Sequence, residues 1–327
     1  MTTKNKVLNL LNQNPGKVFS GQAIADHLQI SRTAIWKAVQ SLKEEGFAIQ
    51  SLPNAGYLLS SHVDLLHADT IKSQLREEVA VFVHPFLGST NAEAKRMLSE
   101  GERNDVLVLA DEQTAGRGRL GRSFFSPAKS GLYMSLGLVK LAPQMDPTLL
   151  TTMAAVAVCR AIEQLTERNP QIKWVNDLYI DGKKICGILT EGIINLETQT
   201  IDSIVLGIGL NVQLEPVSMP EELKEKMGAL FVAEEPTITR NQLAISIVNE
   251  FYLLYSQLDK NEYLEEYRSR CFVLGKQVNF TRNKEYLEGM ATAIDDKGAL
   301  VVRLQDGTET TLSYGEISIG WTEGAAK

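Results

Sequence analysis

Residues 116–122 read GRGRLGR. Three glycines interleaved with three arginines can bring backbone N–H groups and rigid, permanently charged guanidinium forks onto one anion. The string also contains G-x-G-x-x-G, so two chemistries compete. A dinucleotide site needs a strand before the loop, a helix after it and an acid about 20 residues on. The strand is present as DVLVLADEQ at 105–113. The helix is not: Arg122-Ser123-Phe124-Phe125-Ser126-Pro127 starts a helix poorly, and residues 113–145 hold no Asp or Glu. That span carries Arg117, Arg119, Arg122, Lys129 and Lys140, in a chain of net charge −7. No G-x-x-x-x-G-K phosphate loop occurs. The pattern fits a different device for holding phosphate or carboxylate. Three like charges this close should keep the loop mobile until an anion neutralises them.

A second cation is Lys173, on the apolar stretch IKWVNDLYI beside Trp174, with Asn176 and Asp177 following. Its plain alternative, taken alone, is a lysine snorkelling from a strand edge. With the arginine loop it suggests a ligand bearing more than one negative charge. Ser89 and Thr90 precede a helical stretch, and Thr90 with Glu93 forms a capping-box pattern, with Gly101 at the far end. They can cap that helix, bind a ligand, or do both, because a loop opening a helix offers free N–H groups.

The elements that must position these groups fall into three segments. Residues 1–66 read as three short helices and a hairpin. Ser20 caps the second helix and Ser31 the third, whose inner stripe is Ile35, Ala38, Val39 and Leu42. FAIQSLPNAGYLLS at 47–60 is strand, turn and strand. Together these make a winged helix-turn-helix. The segment has six Lys or Arg against four Asp or Glu, a net +2, leaving −9 for the rest. A basic head on an acidic body suits DNA bound by the head alone; the resemblance given below makes that operator DNA. Ser31, Arg32, Thr33, Trp36 and Lys37, on the leading and outer face of the third helix, and Ser20, which caps the second, are the candidate contacts. The plain alternative puts Trp36 partly in the core. Residues 47–61 hold no Lys or Arg, so the wing brings no charged phosphate contact.

Residues 67–270 read as mixed helix and strand: strands at 80–86, 105–113, 131–139 and 201–212, a hairpin IKWVNDLYI-DG-KKICGILTEGII, a long helix over about 148–168, and helices near 239–258 and 261–270. Residues 271–327 are short strands with Asp-Asp-Lys-Gly and Asp-Gly-Thr turns, a small SH3-like β barrel by economy. The fold class is α+β. Four scattered histidines argue against a zinc site, and three cysteines without C-x-x-C fit a reducing cytoplasm. No apolar run approaches the ~18 residues of a membrane span.

Ser89-Thr90-Asn91, Gln113, GRGRLGR at 116–122, KWVND at 173–177, GKKICGIL at 182–189 and GIGLNV at 207–212 resemble biotin protein ligases across essentially the whole chain. With the winged head, the likeness is to the bifunctional bacterial type that also represses biotin genes. It implies a central domain related to class II synthetase cores, with biotin, ATP and Mg²⁺ as ligands. Biotin would be activated to biotinyl-5′-AMP and passed to a lysine of a biotin carboxyl carrier domain. The resemblance assigns biotin contacts to Ser89, Thr90, Asn91, Gln113, Gly116, Arg117, Gly118, Arg119 and Lys173. It assigns adenylate or phosphate contacts to Arg117, Arg119, Arg122, Phe124, Asn176, Gly187 and Asn211. Arg119 and Lys173 would be catalytic, screening two anions that must meet. An adenylate-bound homodimer would set two heads on a palindromic operator. Val175 stands where the family usually has Pro, and Phe124 where it often has Trp. Two other readings compete: a winged-helix regulator that senses an anion without chemistry, and a lipoate ligase-type enzyme.

Overall fold

The computed structural model describes residues 2–319 except 13, 15, 45, 60–63, 140, 142–145, 196, 198, 215–219, 233, 259–261, 283 and 284. The chain forms two compact units, Met1–Gln74 with Thr239–Asn241, and Leu75–Ile238 with Gln242–Lys327.

In the first unit, α1 (Thr3–Asn12), α2 (Gly21–Leu28) and α3 (Arg32–Glu44) precede an antiparallel hairpin of β1 (Ile49–Leu52) and β2 (Gly56–Leu59), then α4 (Ala68–Lys72). Ser20 Oγ accepts from Ala23 N at 3.0 Å and Ser31 Oγ from Ala34 N at 3.3 Å, so both expected caps form. Gly46 follows α3 at φ +93°, the left-handed position a helix stop favours. Ile35, Ala38, Val39 and Leu42 are buried with Val7, Leu8, Leu11 and Ile24, and Phe47, Ile49 and Leu59 of the wing close the core.

The second unit is built on a seven-stranded sheet. Its strands are β3 (Ala80–His84), β4 (Val106–Ala110), β5 (Gly131–Leu138), β6 (Gln171–Lys173), β7 (Asp177–Ile180), β8 (Lys183–Asn195) and β9 (Thr200–Asn211). The order is β3-β4-β5-β9-β8-β7-β6, parallel for β3–β4 and antiparallel elsewhere. β4 and β5 are buried along their whole length, which is why β4 reads as an unbroken apolar run and β5 as one interrupted by Ser135.

Alternation along a strand splits the two faces. α5 (Thr90–Ser99) lies on the face of Leu189 and Glu191, where Asn91 bonds both. α6 (Pro147–Leu165) lies on the other, where Thr151 Oγ1 meets Thr190 Oγ1 at 2.6 Å. The α5 face is lined with glycine: Gly207, Gly209 and Gly187 sit on neighbouring strands, and Gly187 pairs directly with Gly209. α6 is long and apolar enough by composition to cross a membrane, which the sequence alone did not suggest. It owes its hydropathy to a core role, since 67% of its apolar window is buried inside the protein.

α7 (Glu221–Lys224), α8 (Arg240–Tyr255) and α9 (Glu262–Arg270) follow. Then β10 (Gln277–Arg282), β11 (Glu285–Ile294), β12 (Leu300–Leu304), β13 (Glu309–Leu312) and β14 (Ile317–Ile319) form an antiparallel sheet in the order β13-β12-β11-β10-β14. That is the strand order of SH3-like barrels. The register shifts between Ala291 and Ala293, where β11 bends.

Two local expectations give way. Thr90 is not a cap; it is the first residue inside α5, and its N–H and hydroxyl both donate to Gln113 Oε1. The stretch expected as one strand from Ile172 to Ile180 is split into β6 and β7 by a turn at 174–176. The Asp-Gly turn at 181–182 then joins β7 to β8 as expected, with both residues at positive φ.

Candidate active site

The arginine loop connects β4 to β5 on the glycine-lined face. No dinucleotide-type helix follows it; a single 3₁₀ turn occupies Arg119–Gly121, with Leu120 at φ +56°. Phe124 N donates to Gly116 O at 2.9 Å and Gly118 N to Arg122 O at 2.7 Å, closing the loop on itself. A Cβ on Gly116 would stand 2.5 Å from Phe124 O and 2.7 Å from Ser126 Oγ, so this position requires glycine by contact.

The three arginines differ in surroundings. Arg117 is exposed. Half-buried Arg119 donates Nη1 to Asn176 Oδ1 and Nη2 to Gly315 O, each at 2.8 Å. Desolvation pulls its pKa below the usual arginine value, and the nearby Asp177 and Glu316 carboxylates oppose that. Arg122 pairs with Glu316 at 2.6 Å. The mutual repulsion expected to loosen the loop is therefore partly compensated by a carboxylate 194 residues further along the chain.

Lys173 ends β6, half-buried. Burial lowers its pKa and Asp177, its cross-strand neighbour, works against that. Asp177 lies 2.6 Å from Lys184 Nζ. Asn176 bridges the region: it accepts from Arg119 and donates Nδ2 to Ile188 O at 3.0 Å.

Two clefts meet here. One is lined by Ser89, Thr90, Asn91, Gln113, Met134 and the glycines 207 and 209. Its polar groups form a chain: Gln113 Oε1 accepts from Thr90, and Gln113 Nε2 donates to Ser126 Oγ at 3.0 Å. Ser135 Oγ lies 2.7 Å from Thr90 Oγ1 and 2.6 Å from Asn91 Oδ1. Ser89 holds the N-cap position of α5, yet its side chain makes no cap hydrogen bond. Asn91 is buried and committed to Leu189 O, Glu191 and Ser135. The other cleft is cationic, lined by Arg119, Arg122, Lys184, Asn176, Asp177 and Glu316. Arg117, Phe124, Gly187 and Leu189 line both clefts. Phe124 lies over the glycine floor, where a Cβ on Gly209 would stand 2.5 Å from its Cζ. Tyr133 meets its edge, ring centroids 6.4 Å apart.

Most of the residues singled out in the sequence thus converge. Lys173 borders the cationic cleft through Asp177 without lining it. Asn211 lines neither cleft; it is 2% exposed and donates to Gly228 O at 2.9 Å. Glu316, Lys184, Ser126 and Ser135 were not singled out. Lys184 sits inside the quoted GKKICGIL and could have been found as a further cation; the others carry no local signal.

In the first unit, Ser20, Arg32, Thr33 and Trp36 line a groove between α3 and the wing, facing 51–57. Trp36 is 53% exposed, which removes the core alternative for it. Lys37 is exposed and Ser31 caps α3.

The chain matches the biotin/lipoate A/B protein ligase family over residues 83–211, an HTH domain over 3–58 and the biotin protein ligase C-terminal domain over 273–320. It is 32% identical to the bifunctional ligase/repressor BirA of Bacillus subtilis, covering 98% of this chain and 99% of that one. It is 30% identical to BirA of Escherichia coli over 93% of this chain and 94% of that one. A biotin protein ligase from Aquifex aeolicus, solved with biotin and ATP, superposes with a TM-score of 0.61 at 25% identity, over 74% of this chain and 99% of that one. The chain belongs to the biotin protein ligases, in the group of the bifunctional ligase/repressors.

Proposed function

We propose that this protein joins biotin to ATP, giving biotinyl-5′-AMP and pyrophosphate, and then passes biotin to a lysine of a biotin carboxyl carrier domain. The observation that carries this reading is the pair of clefts sharing Arg117, Phe124, Gly187 and Leu189 as a common wall. The narrow, amide- and hydroxyl-lined cleft suits a neutral ureido ring and an apolar tail. The cationic cleft suits a polyphosphate. Their shared wall is where a biotin carboxylate and an α-phosphorus would meet.

The chemistry assigns roles. In the first step a carboxylate oxygen of biotin bonds to the α-phosphorus, and pyrophosphate leaves with the electrons of the broken P–O bond. Two anions approach, so cations must screen them: Arg117, Arg119, Arg122 and Lys173. Gln113, Thr90 and Ser89 orient the ring, with Asn91 bracing that wall. Gly116 and Gly118 keep the loop backbone close to the ligand. Phe124 and Gly187 floor the adenylate, and Asn176 holds Arg119 in place. Asn211 acts at a distance, through the Gly228 segment. In the second step a carrier lysine amine attacks the acyl carbonyl and AMP leaves, with Lys173 stabilising the departing phosphate. Mg²⁺ bound with the nucleotide would neutralise part of the phosphate charge beside these cations.

Residues 1–66 are the operator-binding segment, 67–270 the ligase segment and 271–327 a small barrel that closes on it. The adenylate orders the arginine loop and promotes a homodimer that sets two heads on a palindromic operator. Three unpaired, buried cysteines favour a cytoplasmic setting. The reading is tested by incubating the protein with biotin, Mg-ATP and a biotin carboxyl carrier domain. Labelled carrier that appears only with all three supports it. Carrier labelled with lipoate in place of biotin would move the chain to the other branch of the chemistry.

A further inference from the structure

Lys173 and Asn176 flank a short turn between β6 and β7. β6 is three residues long and is the outermost strand of its sheet, so the sheet holds it from one side only. The remaining restraints come from outside the sheet. Phe272 N donates to Ile172 O at 3.1 Å, one residue ahead of Lys173. Trp174 donates Nε1 to Gly298 O at 2.9 Å. Tyr267, fully buried on α9, donates its hydroxyl to Val175 O at 3.0 Å. The next side chain, Asn176, ties Arg119 to Ile188 O.

We infer that Tyr267 is a positioning residue for adenylation: its hydroxyl on Val175 O sets the turn that aims Lys173 and Asn176 at the reacting phosphate. The inference rests on the ligase reading above. Val175 is itself 5% exposed, so water is a poor substitute for the phenol. Without the hydroxyl, the Val175 carbonyl is left buried and unpaired, and the turn must twist to find another donor. Burial holds the Tyr267 pKa well above its usual value, so the phenol keeps the proton it donates. Displacing a catalytic group by about 1 Å is enough to cost two orders of magnitude in rate.

A tyrosine that only fills space must be told apart from one that positions. Tyr263 supplies the comparison. It lies one turn earlier on α9, is 3% exposed, and directs its hydroxyl to Leu149 O of α6 at 3.5 Å rather than to a carbonyl of the turn. Tyr267→Phe and Tyr263→Phe remove the same atom from similarly buried sites. In biotin-dependent pyrophosphate release, Tyr267→Phe should lower kcat about tenfold or more. The biotin KM, set in the other cleft, should stay within about twofold. Tyr263→Phe should leave both constants within about twofold. A Tyr267→Phe kcat equal to that of the parent, or equal losses in the two variants, overturns the inference. Absence of release from the parent chain would reject the ligase reading and this role with it, a result distinct from an active parent with an equally active Tyr267→Phe.

Discussion

Gly209→Ala adds one methyl group to the floor on which Phe124 rests. The backbone there is in an ordinary strand conformation, so the cost lies in contact and not in strain. The new Cβ would stand 2.5 Å from Phe124 Cζ, 2.6 Å from Cε1 and 3.1 Å from Cδ1. Ordinary carbon contact begins near 3.5 Å, so the ring must retreat by about 1 Å. Phe124 lines both clefts, and its retreat narrows them. Overpacking of this kind costs about 1–3 kcal/mol. Charged to the bound state, that is a loss of biotin affinity of roughly 5- to 150-fold. Gly192→Ala, on β8, is the matched control, because its Cβ meets nothing nearer than Ile201 Cγ2 at 3.6 Å. Isothermal titration with biotin reads both variants. Binding by Gly209→Ala within twofold of the parent, or an equal loss in Gly192→Ala, would refute the assignment of this floor to the ligand.

Three further outcomes follow from the same structure. Burial lowers the Lys173 pKa, so its ammonium is lost below the usual lysine value of 10.5; the alkaline fall in adenylation should begin below that pH and vanish in Lys173→Arg, read from a pH–rate profile. Desolvation raises the Glu266 pKa, but hydrogen bonds from Arg160 and Arg270 outweigh it and leave the carboxyl below 4.5. Its contribution is therefore complete above pH 4.5 and lost as the pH falls through the lower folded value, and Glu266→Gln should cost about 1.5–3 kcal/mol at neutral pH in a denaturant titration, against no loss if these bonds are idle. Lys37→Ala should weaken operator and unrelated DNA alike and lower the salt slope by about 1; a loss confined to the operator would show that Lys37 reads bases.

The sequence revealed local structure and groups tied together by spacing. Ser20, Ser31 and the Ile35–Leu42 stripe specify helix ends and a buried face by rules that reach only a few residues, and each behaves as expected. The arginine loop was legible because its glycines and charges are contiguous. Thr90 misled because the capping rule counts only neighbours, whereas its actual partner is Gln113, 23 residues away. The break at 174–176 was hidden because Trp174 and Val175 are apolar and continue the strand pattern, while what holds the turn comes from Tyr267 and Gly298. Glu316 was invisible for the same reason: its meaning depends on Arg122, which only folding brings near.

The central claim is that the arginine loop and Lys173 serve adenylation. Its most direct test is pyrophosphate release from purified protein on adding biotin to Mg-ATP, with Arg119→Ala and Lys173→Ala alongside. The account predicts release that requires biotin and falls on the order of 10²–10³ in each variant. Release that persists in both variants, or that proceeds without biotin, would contradict it.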